Sequence, residues 1–178
     1  WPDNRRVTQA AAPALPFNFQ DPDAVREWSA IDDRVMGGVS RSRLRHDAAG
    51  HAVFEGEVSL DRNGGFASVR SSPAARGLAG ASRCVIEARG GAGKQFKLSL
   101  ITDNGFDSPS YQATFVCTGP GWSTVTLALA NFRASFRGRE LAGAPALDPA
   151  RIRQVGLMIA ARQAGPFSLD VRHIGLVR

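Results

Sequence analysis

The sequence predicts an all-β fold, a jelly-roll β-sandwich of about ten antiparallel strands, and three observations carry that prediction. Apolar and polar residues alternate over short runs, as they do where successive side chains of a strand point to opposite faces of a sheet. Turn-forming clusters interrupt the chain at short intervals: Gly37-Gly38, Asn63-Gly64-Gly65, Gly90-Gly91, Asp103-Asn104-Gly105, Gly119-Pro120-Gly121 and Gly165-Pro166. Helical periodicity is confined to single turns.

Taken in order, residues 1–16 are rich in Ala and Pro, carry no periodic apolar pattern and are expected to lie extended or disordered before a single domain spanning 17–178. Asp21-Pro22-Asp23 suits one helical turn, with Asp21 as cap and Pro22 at the first position, and Asp148-Pro149 suits another. Strands are predicted at 39–44, 52–60, 66–70, 83–89, 110–117 and 152–160. Phe96, Leu98 and Leu100 share one strand face, with Lys97, Ser99 and Ile101 on the other. Phe167, Leu169 and Val171 alternate with Ser168, Asp170 and Arg172, and Trp122, Thr124 and Thr126 with Val125 and Leu127. This is the pattern of half-buried antiparallel strands.

Length and composition fit one domain with its own core: 178 residues, 43% hydrophobic and 21% charged. No apolar run approaches the roughly 20 residues of a membrane-spanning helix, and 1–16 lack the charged start and apolar block of a secretory signal. Cys84 and Cys117 each sit in a strand-like run; two buried free thiols are favoured, with one disulfide between neighbouring strands as the alternative. Free thiols and the Ala, Arg and Gly bias lead to the expectation of a bacterial cytoplasmic protein. The 22 Lys and Arg exceed the 16 Asp and Glu to give a net charge of +6, but the basic residues are scattered rather than blocked. That favours weak attraction to polyanions over a dedicated nucleic-acid arm.

Five segments, in this order and spacing, resemble the complex I intermediate-associated protein 30 family. They are Asp33-Arg34-Val35-Met36-Gly37-Gly38-Val39-Ser40, Asn63-Gly64-Gly65-Phe66-Ala67-Ser68-Val69-Arg70, Ser110-Tyr111-Gln112, Phe136-Arg137-Gly138 and the run from Ile152 to Ile159. The resemblance implies a β-sandwich akin to galactose-binding domains. In the family's mitochondrial members it implies a chaperone-like, noncatalytic role in assembling respiratory complex I.

The residues themselves point to binding rather than catalysis. His46, His51 and His173 stand in no nucleophile motif, and no phosphate-cradling loop follows the Gly pairs. With Ala67 and Val69 facing the core, Phe66, Ser68 and Arg70 project to the other side, and the matching positions of other strands carry Lys97, Ser99, Asp103, Gln112 and Thr114. Such a face mixes donors, acceptors and an aromatic ring, the composition of a ligand surface. Met158 is a further apolar residue expected there. Tyr111 reads either as a core aromatic with a satisfied hydroxyl or as part of this face. Asp33 and Arg34, in the loop 33–40, and Arg137, in 136–139, complete the candidate contact set, with Arg137 expected to cover the sheet or to pair with Asp32 or Asp33. One of those two carboxylates is expected to organise its loop by accepting backbone donors.

The leading expectation is therefore a noncatalytic binding or assembly domain whose partner is a protein or a small polar ligand. A carbohydrate-binding module and an unrecognised enzyme of bacterial secondary metabolism are the alternatives. Nucleic acid has Phe66, Tyr111 and Phe136 as stacking groups but no motif. No cofactor is expected beyond a structural calcium held by Asp21, Asp23 and Asp170, were these brought together where the first and last strands meet.

Overall fold

The computed structural model describes residues 14–32, 38–105, 108–117 and 119–178. They form two antiparallel sheets. Five strands of the first are β3 (Arg41–Asp47), β4 (His51–Val58), β13 (Gly165–Val177), β6 (Arg83–Gly90) and β9 (Ser123–Ala128), hydrogen-bonded in that order. The sixth, β1 (Ala14–Asn18), pairs with the distal half of β13. The second sheet has seven strands in the order β11 (Arg139–Glu140), β10 (Arg133–Phe136), β8 (Ser110–Val116), β7 (Gln95–Ile101), β12 (Gln154–Ile159), β5 (Ala67–Ser71) and β2 (Trp28–Ala30).

Alternation in sequence becomes the two faces of each sheet. Ala67 and Val69 of β5, Val155, Leu157 and Ile159 of β12, and Phe96, Leu98 and Leu100 of β7 point inward. They meet Phe54 of β4, Ile86 of β6 and Leu169 of β13 from the facing sheet. Aromatic rings knit the layers: Phe54 lies edge-on to Phe167 at 4.9 Å and to Phe96 at 6.2 Å, and Phe96 stacks on Phe115 at 6.0 Å. Each such pair adds about 0.5–1.5 kcal/mol to what burial alone supplies. At the other end Trp28 meets Phe17 at 4.8 Å, and the buried Arg76 guanidinium lies 4.6 Å over the Phe17 ring. Arg76 is held there by hydrogen bonds donated to the Ser72 carbonyl oxygen.

Thirteen strands among the described residues replace the ten or so expected. The additions are β1, β2, β10 and β11, each of five residues or fewer, too short to display a period. Strand β1 opens at Ala14, so pairing with β13 draws in residues assigned from sequence to a segment preceding the domain. The first predicted strand, 39–44, shifts to Arg41–Asp47. Both helical turns form as 3-10 segments, Pro22–Glu27 capped by the Asp21 carboxylate and Pro149–Arg151 capped by that of Asp148.

Cys84 and Cys117 are free, buried thiols, one in β6 and the other just beyond β8 in the opposite sheet. Burial pushes the Cys84 thiol up to about 12 and raises that of Cys117 as well. At neutral pH both stay protonated, and the thiolate is the reactive form. A thiol reagent such as dithionitrobenzoate is therefore expected to label neither cysteine in the native protein and both after unfolding; rapid native labelling of Cys84 would contradict the packing.

Candidate functional site

Register places the polar side of the seven-stranded sheet in rows that run across the strands. Ser29, Arg70, Gly156, Ser99, Gln112 and Arg133 are direct neighbours in turn on β2, β5, β12, β7, β8 and β10. Five strand spacings make this row ~24 Å long. Beside it runs a second row, Ser68, Met158, Lys97 and Thr114. Ser68, Arg70, Lys97 and Gln112 thus share one surface, with Ser99 and Thr114. Strand β12 stands between β5 and β7 and contributes Met158 and a glycine to it.

Gly156 matters by its lack of a side chain. A Cβ there would come within 3.3 Å of the Val69 carbonyl oxygen and 3.4 Å of the Ser99 Cβ, so the sheet surface is lowest between Arg70 and Ser99. Both sides of the surface, where the strands end, are fixed by side-chain hydrogen bonds. On one side the Gln154 amide donates to the carbonyl oxygens of Asp103 (2.9 Å) and Gly105 (3.1 Å), and Arg153 Nε donates to Asn104 Oδ1 (2.9 Å). These bonds fold the 102–105 turn over the end of the sheet, where Ile101 is fully buried. Asp103 accordingly organises this turn, accepting from the Gly105 N–H, rather than standing in a row.

On the other side Asp32, 3% exposed, accepts hydrogen bonds from the backbone N–H of Ser42 (3.0 Å), the Ser42 hydroxyl and the backbone N–H of Ser68 (3.0 Å). Ser42 belongs to β3 and Ser68 to β5, so one carboxylate fastens the two sheets together. This is the loop-organising acceptor expected at 32–33. The Ser68 hydroxyl in turn donates to the Ile31 carbonyl oxygen, which fixes it at the margin of the face.

The remaining candidates lie apart. Asp33 and Arg34 fall outside the described residues. Phe66 precedes β5 and is half-buried. Tyr111 points the other way: it pairs across with Leu100 and Ala134 on the inward side, and its hydroxyl donates to the Pro145 carbonyl oxygen at 2.8 Å. It is the core aromatic with a satisfied hydroxyl. There it lines a depression of about 660 Å³ between the sheet edge and the segment 141–149. Arg137 is exposed in the turn between β10 and β11, its guanidinium 5.2 Å from the Phe136 ring centre. Four strands separate β10 from β2, ~24 Å centre to centre, so a pair between Arg137 and Asp32 is out of reach.

The carboxylates considered for calcium do not converge. Asp21 caps its 3-10 turn, Asp23 pairs with Arg26, and Asp170 pairs with Arg89 on the outer face of the six-stranded sheet. Among the described residues no group of three His, Cys, Asp or Glu side chains has the spacing of a metal site.

That outer face holds the feature the sequence concealed. Trp122 lies between two guanidiniums, Arg172 at 4.0 Å and Arg89 at 4.6 Å, with the buried His51 edge-on at 5.3 Å. Arg89 Nε donates to Asp170 (2.7 Å), Arg172 Nη1 donates to Glu87 (2.8 Å), and His173 Nε2 lies 2.8 Å from the same carboxylate. The two guanidiniums here each meet a neighbouring carboxylate, as suits a self-contained structural network. The two rows of the other sheet combine Arg70, Lys97 and Arg133 with hydroxyls and an amide.

Two antiparallel sheets around one aromatic core, with a polar row across one outer face, define an antiparallel β-sandwich. The family model of complex I intermediate-associated protein 30 matches residues 17–171, and the chain belongs to that family. No curated protein matches the sequence. Among solved structures, it is similar to the family 11 carbohydrate-binding module of a cellulosomal cellulase of Clostridium thermocellum, with a TM-score of 0.69 and 14% identity over 95% of this chain and 96% of the module. A family 11 module of that organism in complex with a β-1,3-1,4-mixed-linked tetrasaccharide gives a TM-score of 0.70 at 14% identity, covering 95% of this chain and 97% of the module. An agarase is similar over 92% of this chain but 26% of its own length, with a TM-score of 0.57 at 13% identity. At these identities the likeness is one of fold. Among the described residues no helix is long and apolar enough to cross a membrane.

Proposed function

We propose that this chain is a noncatalytic binding domain, of the assembly-factor kind its family is named for, that holds a protein or a small polar ligand on the outer face of the seven-stranded sheet. The observation that carries the reading is the register, which lines up Arg70, Ser99, Gln112 and Arg133 around the low point at Gly156. A sheet face that mixes donors, acceptors and cations in register has the composition of a ligand surface. Membership of the complex I intermediate-associated protein 30 family supports the assembly role. The carbohydrate-binding reading draws support from the sandwich shared with a module that holds a tetrasaccharide.

Affinity capture from the host, washed at two salt concentrations, separates specific partners from those held by net charge alone. Arg70→Ala and Gln112→Ala are expected to weaken capture at the higher salt about tenfold, in line with the loss of a hydrogen-bonded contact, while leaving the unfolding midpoint in place. Undiminished capture by both variants would remove the face from the account.

A further inference from the structure

We infer that β9, at one edge of the six-stranded sheet, is a strand-addition site that takes an extended segment of a partner protein, independently of the outer face of the other sheet. A sheet edge carries a row of unpaired N–H and C=O groups, which proteins blunt with charge, proline, bulges or brevity. The strands at the other three ends of the two sheets are blunted: β3 carries Arg41, Arg43, Arg45 and Asp47, β2 has three residues, and β11 is the pair Arg139–Glu140. Strand β9 reads Ser-Thr-Val-Thr-Leu-Ala, six residues without charge, proline or glycine and rich in strand formers. It pairs with β6 in unbroken register, with no bulge, and among the described residues no strand pairs with its other side.

The chemistry of the edge selects the occupant. A polypeptide in extended form presents N–H and C=O groups at the spacing this row needs, which a sugar or a nucleic acid does not. Register with the buried Cys84 and Ile86 turns Leu127 and Val125 inward, yet both are only half-buried, as are Tyr111 and Ala113 of the facing sheet. On the opposite side of the sandwich β2 and β3 meet; counted from there, β9 lies four strands away in its sheet and β11 six in the other, so the seven-stranded sheet runs on past β9. A strand laid beside β9 rests on that extension, and every second side chain of it covers the Val125 and Leu127 rim. Just beyond the end of β9, the depression of about 660 Å³ is lined by Leu129, Phe132, Ala134, Leu141 and Pro145, where a bulky apolar residue at the end of the segment fits. The partner segment is therefore one that alternates apolar and polar residues. A second copy is the poorer occupant: the extended sheets of two copies joined edge to edge would compete for the same space, and each copy carries a net charge of +6.

Selection of random linear peptides, displayed on phage, against the intact chain tests the inference. The selected peptides are expected to alternate apolar residues, and their binding to protect backbone amides within 123–128 from hydrogen exchange. Methylating one of the two alternating sets of backbone nitrogens in such a peptide should weaken binding about tenfold or more, because the added strand loses the donors that face β9. Methylating the other set should leave binding nearly unchanged. Val125→Lys, which points a charge inward at the edge, should weaken binding to a similar degree. Should that variant not fold, the methylated peptides on the unaltered chain still decide. Failure to select any peptide, equal loss from the two methylated sets, or protection centred on 68–70 and 112–114 with 123–128 silent would each overturn the inference. A dimer in sedimentation that Val125→Lys abolishes would give the edge to a second copy and overturn the choice of partner. The Arg70→Ala and Gln112→Ala captures judge the outer face separately, so either reading can fail without the other.

Discussion

Asp32→Ala is expected to destabilise the domain by about 3–5 kcal/mol, because two backbone donors and a hydroxyl lose their acceptor in a dry site. The carboxylate is 3% exposed and bonds Ser42 of β3 and Ser68 of β5, strands that belong to different sheets. Removing it leaves two N–H groups without their acceptor and frees the join between the layers. Urea unfolding should show a lower midpoint with an unchanged slope, the signature of lost stability rather than an altered unfolded state. Asp32→Asn keeps one carbonyl oxygen and should recover part of the loss. A loss below about 1 kcal/mol for the alanine variant would mean that the staple is replaced by neighbours and the sheets are held by core packing alone.

Gly56→Ala is expected to cost at least about 3 kcal/mol, at the upper end of what overpacking does. The backbone at Gly56 is not in a left-handed conformation, so the penalty is purely one of space. An added Cβ would overlap the Arg41 carbonyl oxygen and stand 2.8 Å from the Ser42 Cα, both backbone atoms of the neighbouring strand. No rotamer relieves such a contact, so β3 must move away from β4 and take Ser42 away from Asp32. Thermal unfolding of this variant beside Gly50→Ala tests the mechanism. Gly50 has a φ of 91° and nothing within 4 Å of an added Cβ, so its cost is conformational alone and should be smaller. Equal losses at the two positions would argue that spacing between β3 and β4 is not the constraint.

Most of the fold was legible in the sequence where strands were long enough to alternate. Residues 96–101, 110–116 and 167–172 show their inward and outward faces directly, and the structure assigns them as read. Shorter strands escaped because two to five residues carry no period, and Ala14–Asn18 becomes a strand only through β13. The shared surface of Ser68, Arg70, Lys97 and Gln112 was legible as parity along each strand. Its continuity was not. That depends on β12 lying between β5 and β7, a long-range order no local pattern encodes, and the same insertion brings in Gly156.

Of the two readings left open for Tyr111, the strand decides: neighbours on a strand face opposite ways, so beside the outward Gln112 it turns inward and its hydroxyl finds Pro145. Arg137 lies on the far edge of the sheet from Asp32, a separation only the strand order reveals. The Trp122 network joins residues from β4, β6 and β13 with Trp122 just ahead of β9, and its signal in sequence is no more than isolated charges at alternating positions.

The central claim is that binding occurs on the outer face of the seven-stranded sheet. Backbone amide shifts of the labelled domain, recorded by nuclear magnetic resonance while the captured partner is added, test it most directly. The account predicts shifts clustered at 68–70, 97–99, 112–114 and 156–158, with those around Trp122, Arg89 and Arg172 unmoved; shifts centred on the Trp122 network, with the Gly156 region silent, would contradict it.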